Sequence, residues 1–185
     1  MANVALLIGT GSIEAPTEYE PPDALAAGNY CIPLLWLSLF DPMDLTPWPC
    51  TLDPTETYTA LAGERTRCVA RSAERVARWS ARWPDLEAVA GPWQAFLNGL
   101  TVGALGVWTE DVSDMSGDDA FAADLRGWIG GLDAEDSPGF AAALAQSSLR
   151  LDPDVGGALR SIGGEPLGLV AAGYAWSTAV PWATD

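Results

Sequence analysis

The chain contains no histidine and no lysine. Without histidine it lacks the usual general base near neutral pH and the commonest metal ligand. Without lysine it has neither a serine–lysine arrangement nor the cation of a phosphate loop. Cysteine is scarce as well. Cys31, Cys50 and Cys68 are odd in number and widely spaced, which fits neither a disulfide framework nor a zinc knuckle. We read them as ordinary reduced, partly buried thiols. Long apolar runs are also missing, since the most apolar passage, 31–40, has about half the length a bilayer-crossing helix requires. The opening MANVALLIGTGSIEAP has no basic region and too short an apolar run for a signal peptide, so the expected compartment is the cytoplasm.

Positive charge is the last shortage. Nine arginines face 25 acidic residues, for a formal net charge of -16, and six of those arginines lie in Arg65–Arg82. A surplus of this size makes a basic partner the leading functional question.

Apolar and aromatic residues, in contrast, are plentiful. A hydrophobic fraction of 49% and nine tryptophans in 185 residues exclude a charge-swollen disordered chain. The length suits one acidic globular domain, 1–185. Val4 to Ile8 form a short apolar run closed by Gly9-Thr10-Gly11-Ser12, which predicts a strand entering a turn. A nucleotide loop is excluded by the glycine spacing and by the acids that follow. Residues 14–28 read as a loop. Pro33 suits the first turn of a helix over 33–40, and the prolines around Trp48 predict a rigid loop with that ring plugged into the core.

Asp53-Pro54 resembles a helix start, which predicts a long helix over 54–83 that Gly63 can divide. On its wheel Arg67, Arg71, Arg75, Arg78 and Arg82 share one sector, while Cys68, Val76, Trp79 and Trp83 gather opposite. The expectation is buried tryptophans, outward-pointing Arg71, Arg75 and Arg78, and arginines paired with acids of helices 86–100 and 117–129. Further helices are predicted over 86–100, over 118–128 with Ser116 as cap, and from Ser137-Pro138 to about Leu149. Strands are predicted around Leu105 to Trp108 and over 167–176, the latter beside the first strand. The fold class that follows is α+β, a mainly helical single domain with a small sheet containing both chain ends.

Chemical motifs are weak. The acids from Glu110 to Asp119 do not match the calcium-loop spacing. Ser72, Ser80 and Ser116 have no histidine to activate them, and Cys68, although flanked by arginines, falls on the apolar side of its helix. No cofactor or metal site is expected. The arginine ridge is a poor nucleic-acid surface, because outside 64–82 there are 23 acids against three arginines.

The favoured function is therefore that of a binding protein, of the immunity-protein or inhibitor type, that neutralises or sequesters a basic protein such as a toxin. The resemblance to immunity proteins is one of size and acidity only. The expected partner surface is the tract 110–136, with nine acids and one arginine: Glu110, Asp111, Asp114, Asp118, Asp119, Trp128, Asp133, Glu135 and Asp136. Neither nucleic acid nor a membrane is the expected partner. Three alternatives stay open: a mimic of nucleic acid; a small-ligand or carboxylate-dependent hydrolytic enzyme with a pocket lined by Trp36, Trp48, Trp79, Trp83 and Trp108; and self-association of ridge with acidic tract.

Overall fold

The computed structural model describes residues 3–16, 24–115, 117–153, 157–176 and 179–182. Its centre is a six-stranded antiparallel sheet built from β1 (Val4–Thr10), β2 (Ala24–Asn29), β3 (Leu45–Pro49), β4 (Thr57–Glu64), β5 (Ala104–Trp108) and β8 (Tyr174–Ala175), in the order β3-β4-β5-β1-β2-β8. A separate hairpin pairs β6 (Leu149–Asp152) with β7 (Ala158–Ser161). The helices are α1 (Leu34–Leu37), α2 (Arg65–Arg82), α3 (Glu87–Gly99), α4 (Glu110–Ser113), α5 (Asp118–Gly131), α6 (Pro138–Gln146) and α7 (Leu167–Ala172).

The α+β class is right, but the expected balance of elements is not. The chain is 45% helical and 25% strand, so it is not a mainly helical domain with a small sheet. The chief reason lies at 53–64. Asp53 accepts hydrogen bonds from Thr55 N (3.0 Å) and Thr55 Oγ1 (2.7 Å), and so stabilises a turn between two strands where a helix start was expected. Cys50 N donates to Glu56 O across the same loop at 3.0 Å. Thr57, Tyr58 and Thr59 then alternate as β-branched and aromatic residues do in a strand, and the helix begins only at Arg65. β3 carries Pro47 and Pro49 and lies at the sheet edge, where proline removes no needed ladder bond.

Other expectations held in part. The helix and strand expected around 86–100 and 105–108 are α3 and β5. Ser137 caps α6 by accepting from Phe140 N at 3.0 Å. The proposed cap Ser116 lies outside the described residues. The tail expected as one strand is instead α7 followed by the two-residue β8, which pairs with β2 and not with β1. Gly173 makes that break possible: its φ of 86° suits glycine, and a Cβ there would stand 2.6 Å from the Trp36 ring.

Both faces of the sheet are covered. Alternation along the strands sends Ala5, Leu7, Leu61, Leu105 and Val107 into the large core beneath the helices, and Leu6, Ile8, Tyr58, Ala60 and Trp108 into a smaller cluster on the opposite face. This two-sided burial explains why β1 reads as one unbroken apolar run. In the smaller cluster Tyr58 meets Trp48 and Trp108 edge-on, with centroids 6.4 and 6.5 Å apart. In the large core Trp79 and Trp83 both pack on Phe140, Trp93 donates to Ser72 Oγ at 3.0 Å, and Trp36 donates to Ala172 O at 2.8 Å. Trp79 and Trp83 are thus buried as expected, and Trp48 is a core plug. Among the described residues, no helix is long and apolar enough to cross a membrane.

Candidate functional site

The arginine ridge of α2 is only partly an outer surface: Arg67, Arg78 and Arg82 are exposed, as expected for Arg78, while Arg71 and Arg75 are covered. Two acidic segments clasp it along its length. Arg67 and Arg71 pair with Asp44, Arg71 also with Asp41, Arg75 with Asp41 and Asp133, Arg78 with Asp133 and Glu135, and Arg82 with Glu135 and Asp136. Self-pairing therefore occurs, but through 41–44 and 133–136 and not through helices 86–100 and 117–129. The expectation that Arg75 points outward is wrong. Its side chain is 2% exposed, forms a two-pronged pair with Asp133 (3.0 and 2.6 Å), and donates to Phe40 O at 2.6 Å. The wheel cannot show this, because it records which side of a helix a residue occupies and not which segments later cover that side.

The pairing lowers the Asp133 carboxyl from its ordinary value of 3.8 to about 2, chiefly through the hydrogen bonds from Arg75. Cys68 goes the other way. Burial, reinforced by Asp44, pushes its thiol up to about 12 despite Arg71 and Arg67. A thiol held protonated in this way is a poor nucleophile.

The tract 110–136 is divided between the two ends of α5, whose 14 residues span roughly 20 Å at the helical rise. At the far end, Asp133, Glu135 and Asp136 belong to the arginine ladder, and Trp128 packs edge-on against Phe121 with centroids 6.1 Å apart. At the near end the acids are of two kinds. Glu110 is buried and accepts from Thr51 N (2.8 Å) and Thr51 Oγ1 (2.6 Å), which ties α4 to the β3–β4 loop. Asp118 accepts from Thr59 N at 2.7 Å and ties α5 to β4. Asp111 is half-buried and takes a backbone hydrogen bond from Val4, while burial raises its carboxyl above the ordinary range. Asp114 and Asp119, in contrast, are exposed.

These near-end acids share a face with residues the sequence reading missed. The β3–β4 loop brings exposed Glu56 to the same place, near Cys50, and carries exposed Asp53 three residues earlier in the same loop. After the effect of burial, Glu110, Glu56, Asp114 and Asp118 all raise the Cys50 thiol, so four carboxylates act on one point in the same sense. Exposed apolar residues adjoin these acids in the chain: Leu52, 88% exposed, precedes Asp53, and Met115, 55% exposed, follows Asp114. The signal that could have found Glu56 was the Asp53-x-Thr55 turn, which marks a hairpin tip.

The tryptophans proposed as a pocket lining do not converge on a cavity. Trp36 and Trp79 are fully buried, while Trp48 and Trp108 pack on the opposite face of the sheet. Among the described residues, no group of three or more Cys, Asp or Glu is placed to hold a metal ion. Comparison with protein-family models, with curated proteins and with solved structures finds no match.

Proposed function

We propose that this chain is a binding protein, of the immunity-protein or inhibitor type, that receives a basic protein on the face formed by the β3–β4 loop, α4 and the start of α5. The supporting observation is the segregation of charge. Five of the nine arginines pair internally along α2, whereas the face carrying Asp53, Glu56, Glu110, Asp114, Asp118 and Asp119 has no arginine partner among the described residues. A field of one sign draws an oppositely charged partner and speeds encounter. Exposed Leu52 and Met115 supply the apolar contact that charge alone does not provide.

Two matched baits test the reading. One carries E56Q, D114N and D119N on the face; the other carries E64Q, E74Q and E87Q, exposed acids placed elsewhere with the same change in charge. In capture from the native host at low salt, the wild type and the second bait should retain a basic protein that salt elutes, and the first bait should lose it. Equal retention by both variants would reject the face, and retention of acidic or neutral proteins alone would reject the partner class.

A further inference from the structure

At the opposite end of the sheet from the acidic face, a cleft of about 470 Å³ opens between the end of β2, the β6–β7 hairpin and the α7–β8 junction. Tyr30, Ser148, Ile162, Glu165, Leu169 and Tyr174 are among the residues that line it. Two features set it apart from an ordinary surface crevice. Among the described residues, Tyr30 (φ 57°) and Ser148 (φ 56°) are the non-glycine residues with positive φ, and both face this cleft. Such backbone is unfavourable for a residue that carries a side chain, and persists where surrounding contacts hold it. Here Tyr30 N donates to Asn3 O at 2.8 Å, and Ser148 O accepts from Ile162 N at 2.9 Å. The Tyr30 ring is thereby presented at the rim, 59% exposed.

The second feature is the polar group in the cleft. Among the described residues of the lining, Glu165 is the only acidic or basic one. Its position is set by Ser161 Oγ, which accepts from Glu165 N at 3.0 Å, and by the Tyr174 hydroxyl, which donates to Glu165 Oε2. Glu165 Oε1 accepts no hydrogen bond from a described residue. Burial and then Glu165 push the Tyr174 hydroxyl and the Cys31 thiol to about 12 and about 11, so both stay protonated at neutral pH. The cleft thus presents one oriented carboxyl, two tyrosines and an apolar wall of Ile162, Leu169 and Val170, with no arginine among its described lining residues to hold an anion.

We infer that this cleft binds an organic cation, an alkylammonium or alkylguanidinium group on a short apolar stem, with Glu165 accepting from the cation, Tyr30 offering its ring face, and Ile162, Leu169 and Val170 packing on the stem. The acid surplus of the chain favours a cation and opposes an anion of the same shape. The cation can belong to a free amine or to a basic side chain of a peptide, and the chemistry is shared. The cleft shares no lining residue with the acidic face, and its test uses other variants and other probes, so the failure of one site is distinguishable from the failure of the other.

The test is an NMR titration of the full chain with butylammonium, butylguanidinium, butanol, butyrate and Nα-acetyl-lysine methylamide. Cations should shift the resonances of Tyr30, Ile162 and Tyr174, while butanol and butyrate at equal concentration should not. E165Q should weaken cation binding about tenfold, as expected for loss of a charge-assisted hydrogen bond, with an otherwise native spectrum. Y174F, which keeps the charge and removes the orienting bond, should weaken it less. Tighter binding of the blocked lysine than of butylammonium assigns the source to a peptide, and the reverse assigns it to a free amine. No cleft-localised shift with any cation, an equal response to butanol, or unchanged affinity in E165Q would overturn the inference. If E165Q does not fold, the comparison of butylammonium with butanol and butyrate on the wild type decides alone.

Discussion

Two buried side chains show what a single residue does in this molecule. Trp79 has no exposed surface and packs on Phe140, yet its indole Nε1 has no hydrogen-bond partner among the described residues. Trp79→Ala should therefore cost about 3–5 kcal/mol from lost packing and the cavity left behind. Trp79→Phe should cost clearly less, because it removes the unpartnered N–H along with part of the ring. Urea unfolding checks both, and a W79A midpoint close to wild type would reject the packing.

Arg75 is the second such residue. Its removal takes one donor each from Asp133 and Asp41, which keep Arg78 and Arg71, and removes the donor of the Phe40 carbonyl, so Arg75→Ala should cost about 1–3 kcal/mol by equilibrium unfolding. Arg75→Lys should rescue little, because one ammonium cannot reproduce the two-pronged contact. Asp133 adds a pH signature. Its folded pKa, about 2, lies below the ordinary 3.8, so its contribution is complete above about pH 4 and is lost as pH falls through 2. Unfolding measured between pH 5 and pH 2 should show a fall in stability that is shallower in Asp133→Asn. Equal slopes would remove Asp133 from the acid response.

At the scale of elements, the acids around α4 and α5 divide by what they hold. Glu110→Ala strands Thr51 N and should cost about 1–3 kcal/mol, and Asp118→Ala should also be destabilising through Thr59 N. Asp114→Asn and Asp119→Asn, both exposed, should stay within about 0.5 kcal/mol of wild type. Thermal unfolding of the four variants tests this division, and a costly Asp114→Asn with a silent Glu110→Ala would contradict it.

The same elements mark what sequence reading can reach. α2's apolar face, α3, β5 and the Ser137 cap were legible because periodicity and capping are local signals. β2, β4 and the β6–β7 hairpin were not. β2, ALAAGN, consists of small residues with weak strand preference, and the Asp53-Pro54 turn imitates a helix start. For the candidate face, the acids of 110–119 were visible as a charge run. Their division into ties and exposed groups was hidden, because Thr51 and Thr59 reach them only across a sequence separation of 59 residues.

At the scale of the whole molecule, the net charge of -16 is unevenly distributed. Five of the nine arginines form ion pairs within the chain that fasten 41–44 and 133–136 to α2. The face at the β3–β4 end of the sheet is left acidic and the cleft lies at the β2–β8 end. Association at that acidic face should be fast at low ionic strength and should slow as salt screens it over about 10 Å at 0.1 M. The most direct measurement is stopped-flow association of the captured partner across a range of salt, with wild type, the E56Q/D114N/D119N chain and the charge-matched E64Q/E74Q/E87Q chain. The account predicts that the first variant alone slows at low salt and loses most of its salt dependence, while all three chains converge at high salt. An unchanged on-rate in that variant, or an equal fall in both, would contradict it.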